Sequence, residues 1–268
     1  MRWGYDMKRL IALLYGVVCY AVFFGAFLYL IGFLGNLLVP RSIDMGPSAP
    51  LTVALAINVA LIALWSVQHT VMARPGFKAV WTKVVPKSVE RSTYVLISSL
   101  ILILIYWAWR PIDGVIWQMD AAWAQNIMWA VFFGGFLLVL LSTFIIDHFD
   151  LFGLRQVWIN FRQRPYTNPE FKVTFFYRFV RHPLYVGWIM SFWGTPRMTA
   201  GHLLFAVGMT AYILIAIRYE ERDLVKFIGE DYERYQEKVP MLIPKLGKGY
   251  GTVKPGGTPH SGDTPLPH

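Results

Sequence analysis

Cysteine and charge are what this sequence has little of. One cysteine, Cys19, stands among 268 residues. No intrachain disulfide can form, and its place inside an apolar run reads as a small core residue. Charged residues make up 15% of the chain, against roughly 25% in ordinary soluble domains. No G-x-G-x-x-G or phosphate loop occurs, and no G-x-S-x-G turn to raise a serine nucleophile. His69, His148 and His182 with Asp147 are the residues that could make a His-rich metal site. No two of these histidines share a helix at ligand spacing and no cysteine joins them, so no metal is expected.

Apolar surface is what the chain has instead. Hydrophobic residues are 56% of it and aromatics 16%. A soluble protein of this size could not hide so much, which points to an all-α, polytopic transmembrane helix bundle in a lipid bilayer. Five long apolar segments are visible, at about 10–39, 51–72, 94–109, 121–146 and 201–219, with a short one at 184–193. Each long segment nears the length needed to cross about 30 Å of hydrocarbon. The first is too long for a signal-peptide core and no small-residue cleavage site follows it, so it is expected to stay as a span. Gly194-Thr195-Pro196 reads as a turn that makes 184–219 a helical hairpin, whose short arm spans only by borrowing 175–180. An amphipathic cytoplasmic helix is expected over 220–238, stopped by Pro240 and Pro244. Residues 1–246 read as one membrane domain. The tail, 247–268, is rich in Gly, Pro, Thr and Ser and should be disordered; its His260 and His268 are assigned no role.

The net charge of +9 could suggest nucleic acid, but its distribution argues otherwise. Lys and Arg gather at the N-terminus and in the loops at 74–91 and 155–181. The intervening loops, 40–50 and 110–120, hold one arginine each, offset by Asp44, Asp113 and Asp120. That alternation places both termini in the cytoplasm, and nucleic acid is not expected as a partner. Trp107, Trp109, Trp117 and Trp123 mark one membrane boundary as an aromatic belt.

Topology then gathers the polar groups. Gln68 and His69 end the second span, Arg91 and Tyr94 open the third, and Asp147 and His148 end the fourth. Arg181, His182 and Tyr185 open the hairpin, and Arg218, Glu220 and Glu221 close it. All fall at one depth on the cytoplasmic side, while Arg197 and His202 stand nearly alone on the other. Each alone has a plain reading, as a helix-end histidine, an interfacial anchor or a solvated helix start. Ionisable groups collected at one membrane depth point instead to a functional site.

These residues carry a resemblance. R-H-P-L-Y-V-G at 181–187, E-E-R-D-L at 220–224, G-x-x-Y-x-x-Y ending at Tyr235, and Val239-Pro240 resemble the C-terminal signature of the membrane methyltransferases that act on isoprenylcysteine carboxylates and on phospholipids. The match covers about 178–244. S-V-Q-H-T-V-M-A-R in the second span, E-R-S-T-Y opening the third, and D-H-F-D-L-F-G-L-R-Q after the fourth resemble the bacterial methanethiol S-methyltransferases, with the NnrU family more distant.

The resemblance implies a bacterial inner-membrane enzyme using S-adenosylmethionine, held on the cytosolic side by residues 178–244. By motif match, His182, Pro183, Tyr185, Gly187, Glu220, Glu221, Tyr232 and Tyr235 should line its pocket. Arg181 or His182 suits the cofactor's carboxylate, a glutamate its diol or a positive group, and Tyr185 its adenine or sulfonium. The implied acceptor is a small thiol, methanethiol, converted to dimethyl sulfide. A lipid amine, a prenylcysteine carboxylate, or a non-enzymatic NnrU-like protein are the alternatives. A simple thiol is largely protonated near neutrality, so a base would help. His69 is the expected base, with Asp147 or His148 orienting it or relaying the proton. The sequence leaves the oligomeric state open.

Overall fold

The computed structural model describes residues 2–167 and 173–244. The tail at 247–268 and Lys172 lie outside them. The chain runs through α1 (Arg2–Gly35), α2 (Leu51–Ala73), α3 (Pro75–Trp81), α4 (Lys87–Ala108), β1 (Val115–Gln118) and α5 (Ala122–Ile146). It continues through α6 (His148–Leu151), α7 (Leu154–Phe161), α8 (Pro183–Trp193), β2 (Arg197–Thr199), α9 (Ala200–Ile228) and α10 (Glu230–Lys238), with a 3₁₀ turn at Phe175–Arg178 before α8. Proline sets several helix starts. Pro75 and Pro183 occupy the first turn of α3 and α8, and Pro50 and Pro86 immediately precede α2 and α4. A missing amide is no loss at these positions and the fixed φ suits the helix.

Five helices, α1, α2, α4, α5 and α9, are long and apolar enough to cross a membrane. Only 22–44% of the most apolar window in each is buried inside the protein. The rest, such as Ile11, Val18, Leu137 and Phe144, faces outward, which is tolerable in lipid and costly in water. The chain is an integral membrane helix bundle.

The hairpin departs from the expected form in two ways. Its short arm, α8, has 11 residues, about 16 Å at the α-helical rise, and the turn at Phe175–Arg178 does not extend it. At one end it is completed by β2. At the other, Arg181 and His182 donate their backbone amides to the carbonyls of Pro240 (2.9 Å) and Met241 (3.2 Å). The long arm does not stop at Tyr219. Nothing at Glu220 breaks a helix, so α9 continues to Ile228, and the break comes at Gly229, whose φ of +76° favours glycine.

α8 packs against α5 through glycines. A Cβ on Gly187 would fall 2.7 Å from the Gly135 carbonyl oxygen, and one on Gly135 would fall 2.6 Å from that of Gly187. Small residues let two membrane helices approach this closely. β1 pairs antiparallel with β2, aligning Val115 with Thr199 and Gln118 with Arg197. This tiny sheet ties the α4–α5 connection to the turn of the hairpin.

Candidate active site

A cavity of about 760 Å³ lies within the bundle and reaches the end covered by α10. Its size suits a cofactor-sized ligand. Its mouth carries Tyr177, Arg181, His182, Tyr185, Glu220, Tyr232 and Tyr235, and its interior is largely apolar, with Phe27, Leu102, Ile105 and Phe205 in the wall.

Two adjacent glutamates on α9 do different things. Glu221 is locked. Its Oε1 accepts from Arg181 Nε (2.7 Å) and His182 Nε2 (2.9 Å), and its Oε2 accepts from Gln236 (3.0 Å). Arg181 also donates Nη1 to the carbonyls of Gln236 (3.0 Å) and Val239 (2.5 Å), closing the C-terminal end of α10. Glu220 instead faces the cavity and accepts on Oε2 from the Tyr185 hydroxyl (2.8 Å). Tyr235 donates to the Tyr177 carbonyl (2.5 Å). Burial holds the Tyr177, Tyr232 and Tyr235 phenols well above their ordinary range, and the nearby carboxylates Glu220 and Glu221 push the first two further. They stay neutral and able to donate.

Deeper in the cavity sits His69. Its ring stacks on Trp65 (4.5 Å, 12°), and Tyr212 stands edge-on at 6.3 Å. Its Nδ1 lies 3.2 Å from Ser98 Oγ and its Nε2 2.9 Å from the Tyr94 hydroxyl. Arg91, buried in the same wall, places its guanidinium 5.7 Å from the Tyr94 ring centroid. His148 has parallel surroundings. Its Nδ1 meets Thr143 Oγ1 (2.8 Å), its Nε2 meets the Tyr20 hydroxyl (2.8 Å), and Phe144 stacks on it at 4.3 Å.

The cavity therefore joins ten of the residues singled out from the sequence: His69, His148, Arg181, His182, Tyr185, Glu220, Tyr232, Tyr235 and, from the depth argument, Arg91 and Tyr94. Asp147, Pro183, Gly187 and Glu221 are not in its wall, and each has a local reason. The Asp147 carboxylate caps α6 by accepting from the Asp150 amide (3.1 Å) and lies 3.9 Å from Arg155, so nothing links it to His69. Pro183 starts α8, Gly187 packs on α5, and Glu221 holds Arg181 and His182. Among the described residues, no group of His, Cys, Asp and Glu is placed to hold a metal ion.

Trp65, Ser98, Thr143, Tyr20 and Tyr212 complete the surroundings and were not singled out as site residues by sequence reasoning. Part of the signal is visible in retrospect. Trp65 and His69, like Tyr94 and Ser98, are four residues apart and share a helix face. Arg91 belongs to the group gathered by depth, although an arginine at a span's end also reads as an orientation charge.

The mouth fits S-adenosylmethionine in chemistry. Glu220 offers a carboxylate whose Oε1 receives no protein donor among the described residues, and aromatic rings surround it. A ribose diol or ammonium suits the first, an adenine or sulfonium the second.

Fold and cavity together define a helical membrane protein with a polar-mouthed internal site. The chain belongs to the NnrU protein family, which it matches over residues 57–242. It is 52% identical over 242 residues to a methanethiol S-methyltransferase of Crocosphaera subtropica, spanning 90% of this chain and 95% of that protein. It is 50% identical over 238 residues to one from Mycobacterium tuberculosis, spanning 89% and 98%. Mouse nurim is 28% identical over 179 residues, 64% of this chain and 68% of nurim. No solved structure matches the chain.

Proposed function

We propose that this chain methylates methanethiol to dimethyl sulfide with S-adenosylmethionine, at the cytoplasmic face of a bacterial inner membrane. One observation carries the reading: a carboxylate-bearing aromatic mouth and an apolar interior with a hydroxyl-bound histidine form a single cavity, in a chain about half identical to enzymes named for that reaction. The cofactor would supply an electrophilic methyl group on a positive sulfur. The protein's tasks are then to bind, to align, to keep water out and to take a proton.

Glu220 and Tyr185 would hold the cofactor's polar edge, and Tyr177, Tyr232 and Tyr235 its ring. His182 donates to Glu221, and that bond keeps the start of α8 against α9 and so shapes the mouth. His69 would take the thiol proton, since imidazole is the side chain best matched to a proton transfer near neutrality. Phe27, Trp188 and Phe205 keep the interior dry. Phe24 and Leu140 line the cavity and are also exposed on the bundle's outer surface. A small apolar thiol dissolved in the bilayer has a route inward between α1 and α5.

The test is headspace gas analysis of membranes carrying the protein, supplied with methanethiol and methyl-labelled cofactor. Labelled dimethyl sulfide is the expected product. Label appearing in lipid with none in the headspace would move the acceptor to a lipid group. No transfer, together with no S-adenosylhomocysteine binding by calorimetry, would overturn the enzyme reading.

A further inference from the structure

We propose that Tyr94, and not His69 itself, is the group that touches the thiol, with His69 as the base behind it. The inference rests on the thiol acceptor argued above and adds a catalytic residue to it. Hydrogen counting carries it. Ser98 has one hydroxyl hydrogen, and two oxygens stand ready to accept it, the Tyr94 carbonyl at 2.9 Å and Gln68 Oε1 at 3.2 Å. Either choice leaves Ser98 Oγ as an acceptor towards His69 Nδ1. His69 is then the Nδ1–H tautomer, and its lone pair sits on Nε2. The Tyr94 hydroxyl, 2.9 Å from Nε2, donates to it.

Both ring nitrogens of His69 are thus engaged, and Trp65 covers a ring face. A thiol cannot reach Nε2 without displacing Tyr94. The Tyr94 oxygen keeps lone pairs that its donated hydrogen bond does not use, and Tyr94 lines the cavity. It shares that cavity with Tyr185, which binds Glu220 at the mouth. The Arg91 charge beside the Tyr94 ring favours negative charge developing there.

The step balances as two linked proton transfers. The thiol S–H bond breaks and its proton joins the Tyr94 oxygen, while the Tyr94 O–H bond breaks and that proton joins His69 Nε2. The imidazolium keeps Nδ1–H on Ser98. The thiolate sulfur then takes the methyl group released by the donor sulfonium, whose electron pair stays on its sulfur. One positive charge is lost from the donor and one is held on His69 until it returns its proton to solvent.

The second histidine sharpens the assignment. Thr143 donates to the Leu140 carbonyl (2.7 Å) and accepts from His148 Nδ1, leaving His148 Nε2 to accept from Tyr20. The wiring is the same, but Tyr20 is not in the cavity wall, whereas Tyr94 is.

The test is Tyr94→Phe, assayed with methanethiol and with a fluorinated ethanethiol whose fluorines ionise it nearer neutrality. With methanethiol, kcat should fall on the order of a hundredfold or more. S-adenosylhomocysteine affinity by calorimetry should be unchanged. With the fluorinated thiol, most of the difference from wild type should disappear, because no proton need be removed. Ser98→Ala should show a smaller loss with the same dependence on the thiol. A wild-type rate in Tyr94→Phe, an equal loss with both thiols, or the thiol-dependent loss appearing in Tyr20→Phe instead would each overturn the relay alone. A wild type that binds S-adenosylhomocysteine but methylates neither thiol overturns the acceptor reading and the relay with it.

Discussion

The two ends of the bundle are closed by different kinds of bond. At the strand end, closure is mostly backbone. β1 pairs with β2, Asn58 exchanges two hydrogen bonds with the backbone of Arg110 (2.7 and 2.9 Å), and the Ala200 amide donates to the Gly114 carbonyl (2.8 Å). At the cavity end, closure is mostly side chain and charged: Arg74 with Asp223 (2.7 Å), Arg155 with Asp150 (2.9 Å), and Arg181 with Glu221 (2.7 Å). Backbone pairing builds a closed base, although His202 Nδ1 is left there without a partner among the described residues. Side-chain pairing leaves neighbours such as Glu220 and Tyr185 turned into the cavity. The difference teaches that the site lies where charged side chains, not backbone, hold the helices together.

Two histidines, one at each end, give the largest expected contrast. His69→Ala should lower kcat for methanethiol by about 10²–10⁴-fold with cofactor affinity nearly intact. Because a simple thiol ionises above neutrality, the wild-type to mutant ratio should shrink between about pH 7 and about pH 9.5. His202, whose ring donates to the Phe192 carbonyl (3.0 Å) at the strand end, should on replacement by Ala cost stability and leave kcat per folded molecule alone. A ratio for His69→Ala that stays flat with pH would remove it from the mechanism. Equal kcat losses at both histidines would erase the contrast.

The neighbouring glutamates come next. Glu220→Gln should weaken S-adenosylhomocysteine binding by roughly 10–100-fold, the usual loss for a hydrogen bond to a charged group, with little change in thermal midpoint. Glu221→Gln strips the negative charge from beside Arg181 and His182, which are largely buried. It should destabilise the protein in detergent by about 3 kcal/mol. If calorimetry and thermal unfolding give the two variants the same profile, holding the ligand and holding the helices are not separate tasks.

Much of this frame is legible in the sequence because it is local. Apolar runs of span length, Pro183 at a helix start, and the charges flanking each span need no partner to be read. What is not legible depends on partners far along the chain. α9 passes through Glu220 because the residue that breaks it is Gly229, and a pair of glutamates looks equally like the start of a helix. Gly187 reads as a ligand-contacting glycine until Gly135 is seen against it, 52 residues away in sequence. Asp147 beside His148 reads as a catalytic pair, yet one residue caps α6 and the other turns into the cavity. The bond between Tyr94 and His69 depends on the register of α2 against α4, which periodicity alone does not set.

A smaller effect is expected at the strand end. Thr199 accepts from the His202 amide (3.1 Å), capping α9, and donates to Asp44 (2.5 Å). Thr199→Val keeps the shape and loses both bonds. Thermal unfolding should show a cost of about 1 kcal/mol, while S-adenosylhomocysteine affinity stays put. A drop in affinity would mean that the closed base is coupled to the mouth.

The smallest expected effect follows from protonating His148, which belongs to the cavity end but lies outside the spans. Burial pushes its pKa below the ordinary histidine value, and Asp147 opposes this only in part. With Thr143 as the acceptor at Nδ1 and Tyr20 as the donor at Nε2, the folded protein holds the ring neutral. Unfolding frees it to bind a proton at about pH 6.5. Below that pH the unfolded state carries more protons than the folded one, so stability falls as pH drops, and it is fully present only above it. The thermal midpoint of the wild type in detergent should therefore decline between about pH 7 and about pH 5. His148→Gln should be less stable at pH 7 but should decline less steeply. The strand end offers an internal reference, because the Thr199→Val variant keeps His148 and should follow the wild-type slope. If His148→Gln instead falls in parallel with the wild type, the ring is already free to protonate in the folded bundle. Its bonds to Tyr20 and Thr143 then do not hold it neutral, and the cavity end is held by its ion pairs alone.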